Sequence, residues 1–299
     1  MKVSGFTIVR NAIKFDYPIL ESIASILPLC DEVIVAVGNS EDGTRALVAS
    51  IGSQKIRIID TVWDESLRTG GEVLAVETNK AFDAISRDST WAIYIQADEV
   101  LHDDGYGKIR DGMLKWESDD EVEGFVVNYL HFYGSYDFIA DSRKWYRKEV
   151  RIIRNDKKIR SYKDAQGFRK EGQKLRVKPT GATMCHYGWV KPPEFIRSKL
   201  QYFHTLWHDE EWMEKNKAEL DSFNYSGIDS LVLFRGTHPL TMQKRISRKN
   251  WKFDFDPTRR KFTPVTRILY WLEKKTGILI GEYRNYKMAD KRTSGQAKL

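Results

Sequence analysis

Four short apolar runs rich in β-branched residues, FTIVR (6–10), DEVIVAVG (31–38), IRIIDT (56–61) and WAIYIQ (91–96), punctuate the first hundred residues. Runs this short and this uniformly apolar predict strands covered on both faces. Between them lie segments with helical spacing. The first has Asp16 as its expected N-cap, Pro18 in its first turn and Leu20, Ile23 and Leu27 on one side; the second is capped by Asp42 and carries Ala46, Leu47 and Ile51. After Gly70-Gly71, the residues Leu74, Thr78, Ala81 and Ile85 line one side of a third. A βαβαβαβ order leaves few solutions: an α/β fold with a mostly parallel sheet, right-handed crossovers, and a ligand site outside the carboxyl ends of the strands.

The alternation stops near residue 120. GFVVNYLHFYG and EVRIIRN read as longer, more amphipathic strands flanking an aromatic and basic loop, SYDFIADSRKWYRK, and predict an antiparallel addition. From Pro192-Pro193 the chain reads as helical, with Ile196, Leu200, Phe203 and Trp207 as one stripe. A last helix is expected from the Thr263 cap and Pro264 through Val265, Ile268, Leu269 and Leu272 to Lys274, Lys275 and Gly277. These changes divide the chain into 1–120, 121–190 and a helical, basic C-terminal extension over 191–299.

With 41% hydrophobic and 30% charged residues, the composition is that of a globular protein, not a disordered one. Two distant cysteines, Cys30 and Cys185, exclude a disulfide framework and favour a reducing compartment. The N-terminal run is broken by Arg10 and Asn11, unlike a signal peptide, and no segment reaches membrane-span length, so a cytoplasmic protein is expected. A net charge of +7 points to an anionic partner: nucleic acid, a phospholipid surface or a phosphorylated substrate. The basic residues concentrate late, in QKRISRKNWKF, PTRRKF and EYRNYKMADKR.

The fourth run, WAIYIQADEV, turns abruptly from apolar residues into Gln96, Ala97, Asp98 and Glu99, and LHDDG follows. Carboxylates at a strand end suit a hard divalent cation, held by one or two of them together with substrate phosphates and water. Four elements in order, FTIVRN, VGNSEDGT (37–44), the Thr78-Asn79 pair and QADEV (96–100), resemble the inverting glycosyltransferases of family 2, which have the GT-A fold; CHYGWVKPP (185–193) also resembles a segment of bacterial members.

The resemblance implies transfer of a sugar from a nucleotide-sugar to a glycan or lipid-linked acceptor, in lipopolysaccharide or other surface polysaccharide synthesis. On this reading 1–120 is the nucleotide-sugar-binding core and 121–190 the acceptor side of the same catalytic domain. The donor would meet Arg10, Asn11, Asn39, Asp42, Asn79, Gln96, Ala97 and Asp98, and Mn²⁺ or Mg²⁺ would be held by Asp98, Glu99 and His186. Gln96 stands where the family's Asp-x-Asp has its first Asp, and Val37, Gly38 and Asn39 stand where many members place a base-gripping Asp. The catalytic base is assigned to Asp164 in SYKDAQGF, with Asp137 and Asp141 competing.

Other candidates are Tyr136, Trp145 and Tyr146 as sugar-stacking rings, with Arg143 or Arg147 on phosphate. His204 and His208 have the spacing of a zinc pair but lack the glutamate of a metalloprotease helix, so a solvent-facing helix is the better reading. The stripe of the last helix is expected to pack on the domain, while the tail through Arg284, Lys287, Lys291 and Arg292 is free to meet anionic lipid peripherally at the inner membrane face. Two alternatives stand beside this reading: a nucleotide-sugar-binding homologue without turnover, and a basic nucleic-acid-binding protein, for which no recognised motif is present.

Overall fold

The computed structural model describes residues 1–67, 70–221 and 225–289. Its first strands are β1 (Val3–Val9), β2 (Glu32–Val37), β3 (Ile56–Asp60) and β4 (Trp91–Tyr94), joined through helices α1 (Ile19–Ile26), α2 (Thr44–Ala49) and α3 (Glu72–Asp83). They pair in parallel in the order β3-β2-β1-β4. Both faces are covered, as the uniform apolar runs require. Val3, Val9, Val33, Val35, Val37, Trp91 and Ile93 pack on the face that holds α1, whereas Phe6, Ile8, Ile34, Ala36, Ala92 and Tyr94 pack on the face of Phe82 in α3.

The chain continues through β5 (Glu99–Leu101), α4 (Tyr106–Lys115), β6 (Gly124–Tyr133), β7 (Ser135–Ala140), β8 (Lys148–Arg154), β9 (Ile159–Tyr162), β10 (Gly167–Lys170), β11 (Gln173–Lys174) and β12 (Arg176–Trp189). Strand β8 runs antiparallel between β4 and β6, and β7 follows β6 as a hairpin. The predicted loop 135–148 is therefore half strand: Gly134 turns the chain at a φ of 70° and sends Ser135–Ala140 back along β6. Strand β12 lies parallel to β6 and antiparallel to β5, and β9, β10 and β11 form a small separate sheet.

The last part holds α5 (Pro193–Thr205), α6 (Glu210–Asp221), β13 (Leu231–Leu233), α7 (Gln243–Ser247), α8 (Pro264–Thr276) and β14 (Lys287–Met288). Strand β13 extends the sheet beyond β7, and β14 pairs with the start of β12. The expected α/β architecture, with an antiparallel addition and C-terminal helices, is the one the chain adopts; the antiparallel share exceeds the expectation. Asp16 does not cap α1. It sits at a φ of 49°, its carboxylate bound to Arg245 at 2.7 Å, and the N-cap position is Pro18. Thr263 does cap α8 by accepting from the Thr266 amide at 3.2 Å, and Gly277 ends that helix at a φ of 70°.

Candidate active site

A cavity of about 280 Å³ lies at the carboxyl ends of β1 and β4, roofed by α5. Its lining takes in Arg10, Gln96, Ala97, Asp98, Asp164 and His186 among the residues expected from the sequence, together with Trp63, Tyr146, Lys199 and Tyr202.

Strand register brings Asp98 to His186. Strand β5 pairs with β12 so that Glu99 faces His186, and the Tyr187 amide donates to the Asp98 carbonyl at 2.8 Å. Ala97 and Asp98 form a turn, closed by the Glu99 amide donating to the Gln96 carbonyl at 3.1 Å, that leads into β5. Out of this turn Asp98 enters the cavity, and Glu99 at the start of the strand leaves it. His186 Nε2 lies 3.6 Å from Asp98 Oδ2. Gly188 makes room for both: a Cβ there would lie 2.5 Å from Asp98 Oδ2 and 2.7 Å from His186 Nε2.

The hydrogen-bond network assigns the tautomer of His186. His131 Nε2 lies 2.7 Å from the Tyr146 carbonyl oxygen, which only accepts, so that nitrogen carries a proton. Burial, with the neighbouring His186 adding to it, pushes the His131 pKa down to about 3 and keeps the ring neutral. His131 Nδ1 is then an acceptor, and His186 Nδ1, 3.3 Å away, donates to it. A neutral His186 consequently turns a bare Nε2 lone pair towards a carboxylate.

Two facing acceptors call for a cation or a proton between them. The donor set fits a divalent cation bound by one carboxylate and one imidazole, its remaining positions left to substrate oxygens and water. Among the described residues no group of three or more His, Cys, Asp or Glu could hold a metal, so protein ligands alone would not complete the shell. Lys199 Nζ donates to the same Asp98 Oδ2 at 2.9 Å and to the Gly188 carbonyl at 3.1 Å. Burial by itself raises the Asp98 pKa; Lys199, joined by His186 whenever its Nε2 also carries a proton, outweighs it and holds the carboxyl well below its ordinary range.

Asp164 stands in the turn between β9 and β10, flanked by Lys163 and Ala165 at positive φ of 53° and 58°. Gly71, at a φ of 73°, backs against it: a Cβ there would lie 3.1 Å from the Asp164 Cα. Burial raises the Asp164 pKa. A partly desolvated carboxylate in a cavity suits proton abstraction. Trp63 adds a buried indole Nε1 with no hydrogen-bond partner among the described residues, and its ring lies under the Arg10 guanidinium at 5.8 Å.

The remaining expected residues stand elsewhere. Glu99 is corrected as a metal ligand: its Oε1 accepts from Tyr129 at 2.7 Å and Arg151 at 2.8 Å, and its Oε2 from Arg151 at 2.9 Å and the Gln96 amide at 3.1 Å. A fully buried carboxylate so engaged, with Arg151 equally buried, is a structural ion pair. Arg151 also donates to the Gln166 carbonyl at 2.8 Å, which ties the Asp164 turn to Glu99 at the start of β5, next to Asp98.

Asn11, Asn39, Asp42 and Asn79 do not line the cavity. Asn11 accepts from the Glu41 amide, Asn39 from the Trp63 amide, Asp42 from the Thr44 and Lys14 amides, and Asn79 bonds both backbone groups of Ser161. They hold loops whose neighbours reach the site.

Asp137 is bound by Ser135 and Lys249, and Asp141 by Ser230 and Tyr270, so neither competing base reaches the cavity. Tyr146 is the one proposed stacking ring that does; Tyr136 packs beside Tyr187, and Trp145 beside His131. Arg143 and Arg147 both pair with Glu273. His204 and His208 stack with Trp212 instead of pairing for zinc. Arg284 pairs with Glu282 and Lys287 lies in β14, whereas Lys291 and Arg292 lie outside the described residues. Among the described residues no helix is long and apolar enough to cross a membrane.

No protein-family model matches the chain, and no curated protein matches it. Solved structures similar to it include Staphylococcus aureus TarS 1–349, at 13% identity over 74% of this chain and 70% of that chain with a TM-score of 0.37. Glucosyl-3-phosphoglycerate synthase from Mycobacterium tuberculosis, in complex with Mn²⁺, UDP and phosphoglyceric acid, is similar at 13% identity over 70% and 80%, with a TM-score of 0.38. So is 4-diphosphocytidyl-2C-methyl-D-erythritol synthase from Anaerococcus prevotii, at 10% identity over 67% and 96% with a TM-score of 0.37. Likenesses this distant, naming enzymes of different reactions, do not choose among activities.

Proposed function

We propose that the chain is a glycosyltransferase that moves a sugar from a nucleoside-diphosphate donor to a hydroxyl of a glycan or lipid-linked acceptor, with inversion, in the manner of the family-2 enzymes its motifs resemble. The observation that carries this reading is the convergence, in one cavity at the carboxyl ends of parallel strands, of the Asp98–His186 pair, Lys199 and the burial-perturbed Asp164. Ligands of open α/β sheets collect at such ends.

The departing diphosphate develops negative charge, and fixed positive charge there lowers the barrier. Lys199 and Arg10 are the side chains that supply it. A divalent cation, Mn²⁺ or Mg²⁺, would be held by Asp98 and His186 and would act as a Lewis acid on the diphosphate oxygens. The acceptor oxygen forms a bond to the anomeric carbon, the bond from that carbon to the diphosphate oxygen breaks with its electron pair, and Asp164 takes the hydroxyl proton. The raised pKa of Asp164 makes it the stronger base. Trp63 and Tyr202 offer aromatic walls beside Arg10, suited to a base or sugar ring. Surface polysaccharide synthesis, including lipopolysaccharide, is the setting that the resemblance implies.

Replacing Asp164 tests the role of the base. Asp164→Asn is expected to lower kcat about a hundredfold or more, since general-base catalysis contributes on that order, while nucleotide affinity stays within about twofold of wild type. Nucleotide release from a panel of donors measures the first and calorimetry the second. Undiminished turnover in the variant would remove Asp164 from the mechanism.

A further inference from the structure

Helix α8 is mounted with its polar side inward. The side chains it buries are Tyr270 and Glu273: Tyr270 bonds Asp141, and Glu273 pairs with Arg143 at 3.1 Å and Arg147 at 2.5 Å. Three of its large apolar side chains face out. Val265 is 66% exposed, Ile268 60% and Trp271 58%, and beyond the Gly277 cap Ile278 and Ile280 are 61% and 53% exposed. For Val265 and Ile268 this reverses the expectation that the stripe packs on the domain, whereas Leu269 and Leu272 are half-buried. Ion pairs have fixed the opposite face, and a helix in water does not ordinarily leave three large apolar side chains uncovered, with two more just past its cap.

The surroundings of the stripe are cationic. Arg259, Arg260, Arg267, Lys274 and Lys275 are exposed on or beside the helix. A groove of about 580 Å³ runs along it, lined by Arg260, Arg267, Lys274 and Trp271 among others, with the Arg260 and Lys274 charges each 5.0 Å from the Tyr270 ring. Of the acids near the helix, Glu273 is buried in its two arginine pairs and Asp141 is engaged by Ser230, Tyr270 and, at 3.6 Å, Lys274, while Asp256 beside Arg259 is exposed. An outward apolar edge with an interfacial tryptophan and a basic border is the pattern of a helix that lies in the headgroup layer of an anionic bilayer.

We propose that α8 and the Ile278–Ile280 segment dock the protein onto an anionic phospholipid surface, with Val265, Ile268, Trp271 and Ile278 entering the acyl boundary and the groove of Arg260, Arg267 and Lys274 receiving lipid phosphate. The placement has a consequence for the cleft. Arg143 and Arg147, which hold Glu273, belong to the same loop as Tyr146, and Tyr146 lines the candidate active site. The docked helix is thus bonded to the loop at the wall of the cavity. The inference stands on α8 alone and does not need the proposed transfer reaction.

The test is vesicle flotation of the full chain with phosphatidylcholine vesicles and with the same vesicles containing roughly one-third phosphatidylglycerol, at low and high salt. The proposal expects binding to the anionic vesicles only, weakened by salt, and reduced at least about tenfold in the Ile268→Glu/Trp271→Glu variant, whose substituted positions are exposed and whose unfolding temperature should match wild type. Three results would overturn it: no binding to anionic vesicles; binding that the variant retains, which would put the contact on another basic surface; or a wild-type dimer in sedimentation that the variant converts to a monomer, which would make the occupant a second copy of the chain.

Discussion

Asp98 and Glu99 are neighbours of nearly equal chemistry with opposite tasks. Asp98 turns into the cavity beside His186 and Lys199, and Glu99 turns into the core against Arg151. The strand-end carboxylates were legible in QADEV, but their division was not, because it depends on a register with β12 set some eighty residues later. Lys199 and His131 went unnoticed for related reasons. Lys199 lies in the spacing of Ile196, Leu200 and Phe203, and a cation inside an apolar stripe was the available signal; His131 gains meaning only when it meets His186 across the sheet. A third carboxylate makes a pH prediction. Burial raises the Glu149 pKa to about 7, and its only side-chain amide partners lie 3.4 and 3.5 Å away. Because the folded state binds this proton more tightly than the unfolded chain, the associated stability is full below about pH 4.5 and is lost as pH rises towards 7. Glu149→Gln should remove that slope. Urea unfolding at pH 5 and pH 8 is expected to show wild type losing up to ~3 kcal/mol relative to the variant; parallel losses in both proteins would refute the assignment.

At the scale of elements, β12 organises the site. It places His186 between His131 and Asp98, and its Gly188 leaves the gap through which the two side chains meet. Gly188→Ala would insert a methyl group where Asp98 Oδ2 and His186 Nε2 now stand, a clash that the buried strand cannot relieve by moving its backbone far. Nucleotide affinity measured by calorimetry should fall at least about tenfold, with a stability loss of ~1–3 kcal/mol. Unchanged affinity would mean that the pair does not contact the ligand. Helices were read well where their ends carry local signals, as with Thr263, Pro264 and Gly277 around α8. Which face of α8 points inward was not readable from its stripe, because distant partners, Arg143, Arg147 and Asp141, decide it. The loop asparagines stay out of the cavity lining for a similar reason: short polar side chains near a strand end bind backbone as readily as ligand.

On the scale of the whole molecule, the parallel sheet was the most legible feature, because strands buried on both faces leave uninterrupted β-branched runs. The antiparallel half was seen only in outline. Its pairings join β5 to β12 and β4 to β8 across long stretches of chain, and no local pattern fixes such partners. The result is a single cavity supplied by both halves: Arg10, Gln96 and Asp98 from the parallel part, Tyr146, Asp164 and His186 from the antiparallel part, and Lys199 from the helix above. The central claim, that this junction binds a nucleoside diphosphate through Asp98, is tested most directly by thermal unfolding of wild type and Asp98→Asn with UDP, GDP, CMP and dTDP and their sugars, each with and without Mn²⁺. The account predicts that at least one of these nucleotides raises the unfolding temperature of wild type, more so with the metal, and that Asp98→Asn folds normally but loses the shift. No shift with any of them, or an equal shift in the variant, would contradict it.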